Sequence, residues 1–269
     1  MSWLRDRRVL VTRARHQARA LCEALERYGA EPVLFPTIEF QPVEDLAPVD
    51  SAIAKLGEFA WVVFTSANGV RFFLDRMTRL TATFPATLRI AAIGSVTERA
   101  LRERGVTVDA VPEEFRGERM PAALGELRGR RVLLPRAAIG REEIVEKLRE
   151  SGAVVEDVAV YQTMPATPEP EALRSLRAGV DVVTFTSPST LRNFLRLLGA
   201  EGGEVLASAT VACIGPVTAE AARELGVRVD VQPAEHTVEA LARALSALLL
   251  ATGVPDGGSR DRAAAPPQA

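Results

Sequence analysis

The chain has 269 residues, room for about two domains at roughly 150 residues each, and its 47% hydrophobic and 25% charged composition excludes disordered, collagen-like and coiled-coil classes. Lys+Arg total 33 against Asp+Glu 35, a net charge of -2, so the basic excess of a nucleic-acid binder is missing and any anion site must be local. Two cysteines and two histidines allow neither a disulfide framework nor a thiolate zinc centre, which predicts a protein without metal. Along the chain, MSWLRDRRVLVTR opens without an apolar leader. No stretch reaches the ~18 apolar residues of a membrane span, which predicts a cytoplasmic protein that meets no membrane. Apolar runs then recur as VLVT (9–12), WVVFT (61–65), RIAAI (89–93), VLLP (132–135), VVTFT (182–186) and TVACI (210–214). Runs of this length read as strands buried on both faces, hence parallel sheets. Helical stretches separate them, such as ARHQARALCEALERYG, with Ala18, Leu21, Cys22 and Leu25 on one face and Gly29 as its stop. The alternation predicts an α/β fold.

An internal repeat sets the topology. Residues 8–40 align without a gap on 131–163, so that RRVL meets RRVL, Arg13 meets Arg136 and Gly29 meets Gly152. A second pair aligns FTSANGVRFFL from Phe64 with FTSPSTLRNFL from Phe185, and continues from Ile90 onto Val211. The order of the pieces predicts one discontinuous lobe, 1–36 plus 165–250, expected to carry five strands. A second lobe over 46–154 is permuted relative to the first. Crossovers at 37–45 and 155–164 are expected to pair as a two-stranded ladder, which makes the molecule bilobed with a cleft. Two sequential domains divided near residue 130 are the alternative. Residues 251–269, rich in Gly, Pro and Ala, are expected to be a disordered tail.

Ligands of parallel α/β sheets bind beyond the carboxyl ends of the strands, where helix N-termini offer N–H groups. Those ends are Thr12–Arg13, Thr65–Ser66, Gly94–Ser95, Pro135–Arg136, Thr186–Ser187 and Gly215–Pro216. Their hydroxyls serve equally well as helix N-caps, and repetition does not choose between the roles. Phosphate-loop, dinucleotide, zincin and nucleophile-elbow motifs are absent from the sequence. Cys22 and Cys213 read as core, and His16 and His236 as surface residues. Tyr161 lies on the second crossover, expected to alternate in facing with Val158 and Val160, and is either a packing residue or a functional one.

The ordered set VLVTR, FTSANGV, AIG..T, LPR, VYQT, FTSPST and IGPVTA, spanning about residues 8–245, resembles the uroporphyrinogen-III synthases. That resemblance implies two flavodoxin-like parallel-sheet lobes joined by the crossover ladder. It also implies a cofactor-free cytosolic lyase that dehydrates and cyclises hydroxymethylbilane, a linear tetrapyrrole, with inversion of ring D. Tyr161 matches the tyrosine of the family's VYQT-like segment and is the catalytic candidate. Carboxylates on every pyrrole ring would need donors spread over both lobes. The substrate-binding candidates are Thr12, Arg13, Ser66, Ala67, Asn68, Ser95, Thr97, Arg136, Ser187, Pro188, Ser189, Thr190, Pro216 and Thr218, with Arg15, Arg71 and Arg141 nearby. A monomer is expected. The rival from another class is a bilobed small-molecule binding or sensing protein without catalysis.

Overall fold

The computed structural model describes residues 4–112, 120–140 and 142–251. They gather into two compact units, one of residues up to Glu39 with those from Pro165 onward, the other of Phe40–Met164. The strands in chain order are β1 (Arg8–Val11), β2 (Glu31–Leu34), β3 (Ile38–Pro42), β4 (Trp61–Phe64), β5 (Arg89–Ala92), β6 (Arg131–Ala137), β7 (Val154–Pro165), β8 (Val182–Phe185) and β9 (Thr210–Cys213). The six apolar runs became β1, β4, β5, β6, β8 and β9. β1 pairs in parallel with β2 and β8, and β8 with β9, while β4 pairs in parallel with β5 and β6, and β6 with β7.

The sheet orders are β2-β1-β8-β9 and β3-β7-β6-β4-β5. Under the sequence repeat, β7, β6, β4 and β5 correspond to β2, β1, β8 and β9, so both sheets place equivalent strands in the same order although the chain visits them differently. The five full strands expected of the first lobe are four. The fifth place is held by a single bridge, Ala212 to Val231, and its repeat partner is the bridge Ala91 to Ala110. Two causes stop a longer ladder. The Asp230 carboxylate accepts the Val211 N–H at 2.8 Å, as Asp109 accepts that of Ile90 at 2.7 Å. Pro233 and Pro112 then follow with no N–H to donate. β3 and β7 lie side by side.

Successive strand residues enter opposite cores, as a sheet covered on both faces requires. In the second unit Val62, Phe64 and Leu133 join one cluster while Trp61, Val63, Val132 and Leu134 join the other. In the first, Val9, Val11 and Val182 face one layer and Leu10, Val183 and Phe185 its opposite. Each such side chain contributes about 1.5–3 kcal/mol by leaving water. Gly29 and Gly152 end equivalent helices at φ +82° and +84°, where a Cβ would lie 3.2 and 3.1 Å from the Cα atoms of Arg5 and Arg128. Of the expected tail, 252–269 lies outside the described residues, as does Arg141; the final helix, Val238–Ala251, reaches the tail's first position.

Candidate active site

β4 ends at Phe64 and the chain turns into the helix Ala67–Arg79 with Ser66 extended (φ -158°, ψ 150°). That conformation lets Ser66 Oγ accept the Gly69 N–H at 3.0 Å, closing the N-terminal turn. The helix start is pressed against β6, since a Cβ on Gly69 would stand 2.9 Å from the Pro135 carbonyl oxygen. Backbone cannot yield as a flexible side chain does, so Gly69→Ala should destabilise the protein by about 1–3 kcal/mol, measured by urea unfolding.

Beside this turn the β6–β7 register slips. Arg136 pairs with Ala159 but Ala137 with Tyr161, leaving Val160 extra. The bulge corrects the expected alternation: Val158, Val160 and Tyr161 all enter one core. Tyr161 is 7% exposed. Its ring stacks on Phe72 (5.4 Å, 11°) and meets Phe40 edge-on (5.7 Å, 73°). The hydroxyl lies 3.2 Å from Ser66 Oγ, either oxygen being able to donate. Ser66 already accepts the Gly69 N–H, so when its own proton goes to Tyr161 the phenol proton is left for another acceptor. Arg71, one helical position before Phe72, lays its guanidinium 4.4 Å over that ring. Its Nε is buried without a hydrogen-bond partner, and desolvation lowers its pKa. Phe72 and Phe40 were missed from sequence. The doublet Phe72–Phe73 was the available signal, because one helix face cannot hold both rings.

Other candidates divide by what their polar atoms touch. Thr12 is fully buried and donates to the Thr184 carbonyl oxygen at 2.7 Å, which ties β1 to β8. Thr190 is 1% exposed and donates to the Ser187 carbonyl oxygen at 2.7 Å. Ser187 caps the helix Pro188–Leu198, accepting the Thr190 N–H at 3.3 Å, and its Oγ lies 2.9 Å from that of Ser189. Arg136, 7% exposed, already holds carboxylates: Nε donates to Asp157 at 2.6 Å and Nη2 to Glu142 at 2.7 Å, raising its pKa. Ser95 and Pro216 are exposed first residues of helices Ser95–Glu103 and Pro216–Glu224, with Thr97 and Thr218 buried one turn in. Ala67, Pro188 and Ser189 are half-buried helix starts, and Asn68 is buried. Arg13 is half-buried at the end of β1.

His16 and His236 are exposed and Cys213 is fully buried. Burial pushes the Cys213 thiol up to about 11. A thiol of that pKa is almost wholly protonated at pH 8, so a maleimide should leave Cys213 unlabelled in the native protein and label it in guanidinium, as peptide mass analysis would show. Among the described residues no three His, Cys, Asp or Glu side chains gather as a metal site, and no helix is long and apolar enough to cross a membrane.

The described residues form parallel α/β units whose strand ends carry hydroxyls, arginines and helix starts, the class of fold that binds small molecules at those ends. The model for the family described as uroporphyrinogen-III synthase HemD matches residues 19–243. The uroporphyrinogen-III synthase of Synechococcus elongatus is 32% identical over 246 residues, 88% of this chain and 93% of that protein. The one from Chlorobaculum parvum is 32% identical over 252 residues, 90% and 98% of the two chains. The chain belongs to the uroporphyrinogen-III synthase family, lyases of tetrapyrrole biosynthesis. In fold it is similar to crystal structures of the Thermus thermophilus and Helicobacter pylori enzymes. The TM-score is 0.59 for each, at 22% and 18% identity, covering 90% of this chain and 98% and 99% of theirs.

Proposed function

We propose that this chain converts hydroxymethylbilane to uroporphyrinogen III by loss of the substrate's hydroxyl and ring closure with ring D inverted. The observation that carries the site assignment is the Tyr161 hydroxyl, bonded to Ser66 at a helix start where β4, β6 and β7 come together. As the hydroxyl leaves, the pyrroles supply electrons and an azafulvene cation forms. Tyr161 donates a hydrogen bond to the departing oxygen, which leaves as water once protonated. Ring D then attacks through its substituted carbon to give a spiro intermediate, and fragmentation with reclosure inverts that ring and returns a proton. The protein's share is to hold a folded polycarboxylate and to aim one donor, a task of proximity and electrostatics.

In this reading the lobes are flavodoxin-like, 1–36 with 165–250 and 46–154, linked by crossovers 37–45 and 155–164. Binding is spread over Ser66, Ala67, Asn68, Ser95, Ser187, Ser189 and the helix starts at Pro188 and Pro216, whose positive ends suit carboxylates. Thr97 and Thr218 act from behind, by fixing those turns. The enzyme works as a cytoplasmic monomer, without metal, flavin or nucleotide. Freshly made hydroxymethylbilane, incubated with the protein, oxidised and resolved by isomer, should give type III product, unchanged after exhaustive chelation. Type I product alone, as in the enzyme-free control, would leave a binding protein in place of the enzyme.

A further inference from the structure

Arg13 and Arg136 occupy one position of the internal repeat, yet their surroundings differ. In the second unit Leu134 pairs with Asp157, and that aspartate, with Glu142, neutralises Arg136. In the first unit the equivalent pair is Val11 with Leu34, and the position equivalent to Glu142 is Arg19. Both carboxylates are therefore replaced. Among the described residues no carboxylate pairs with Arg13, its Nε is buried without a hydrogen-bond partner, and desolvation lowers its pKa. Arg15, the next arginine, is already paired with Glu169 at 2.7 Å. A half-buried cation without a counter-ion gains when an anion joins it. The two copies share the arginine, but only the second sets carboxylates beside it.

We infer that Arg13 is a carboxylate receptor at the carboxyl end of β1, while Arg136 is the same side chain turned into an internal brace. The inference deepens the function proposed above and rests on it for the ligand's class, a polycarboxylate whose acetate or propionate group takes the place that Asp157 fills beside Arg136. Guanidinium and carboxylate would meet as a charge-assisted, forked pair.

The test is fluorescence titration of uroporphyrin III, a stable polycarboxylate probe, into the full chain and four variants, with the isomer assay run in parallel. Arg13→Gln should weaken binding by about tenfold to a hundredfold, the range for a hydrogen bond to a charged group, and Arg13→Lys by less. Leu34→Asp restores the lost carboxylate in place. It should weaken binding much as Arg13→Gln does while unfolding at a higher temperature than Leu34→Asn, which matches it in shape without charge. Leu34→Asn itself should bind nearly as the parent does. A purely structural Arg13 would show the stability difference without the affinity difference. Unchanged affinity in Arg13→Gln, equal affinity in the two Leu34 variants, or no binding by the parent would overturn the inference. Type I product from a parent that still binds through Arg13 would instead remove the synthase reading and leave the receptor standing.

Discussion

Asp157→Leu should be among the most destabilising single changes in the chain, and adding Arg136→Met should restore most of the loss. The Arg136 side chain is 8% exposed and Asp157 25%, so the guanidinium is buried while the carboxylate keeps some access to solvent. The guanidinium lies against Gly140, where a Cβ would overlap it. Without Asp157, Arg136 keeps the carboxylate of Glu142, itself 66% exposed. Breaking one side of a buried pair costs about 3–5 kcal/mol, and the surviving Glu142 places the expected loss near the low end of that range. For a domain of this size that lowers the melting temperature by on the order of 10 °C. Replacing both partners by apolar groups removes the stranded charge and is commonly close to neutral. The cycle is read by calorimetry. A double variant as unstable as the single would mean that the loss comes from repacking β7 rather than from an orphaned arginine.

That pair also marks where the sequence stopped being legible. VLVTR and VLLPR look alike, and both arginines were read as anion binders. What separates them is the residue across the neighbouring strand, Leu34 in one copy and Asp157 in the other. Strands and their parallel pairing were legible because residues such as Val62, Val63, Val182 and Val183 must be covered on both faces. The permuted strand order followed from the two alignments. The bulge at Arg136/Ala137 was not legible, since no glycine marks it and period-two counting carries Tyr161 to the wrong face. The hydroxyls were ambiguous for a different reason. Ser66 and Ser187 prove to be caps, as the local rule allows, but Ser66 also reaches a tyrosine 95 positions away, which no local rule can foresee.

Tyr161→Phe should separate catalysis from packing. The change keeps the ring stacked on Phe72 and edge-on to Phe40, so the core of the second unit is retained. What it removes is the bond to Ser66 Oγ, about 0.5–1.5 kcal/mol of stability, and the donor proposed for the departing hydroxyl. Loss of one aligned donor to a developing charge costs roughly 2.7–4 kcal/mol, or about 10²–10³ in rate, and a water admitted to the site recovers part of it. The expected fall in kcat is therefore between about threefold and a thousandfold, with kcat/KM falling alongside because the interaction is made in the transition state. Ser66→Gly supplies the control. Glycine caps a helix within a few tenths of a kcal/mol of serine, so the fold should survive while Tyr161 loses the partner that directs its proton. Ser66→Gly should then lower kcat by less than Tyr161→Phe does. In the Tyr161→Phe background it should add almost nothing, because both changes act on one hydrogen bond. Multiplying effects would give the two hydroxyls separate tasks. A Tyr161→Phe enzyme with unchanged kcat and a lowered melting temperature would make the ring a packing element, leaving the reaction to substrate folding and backbone donors.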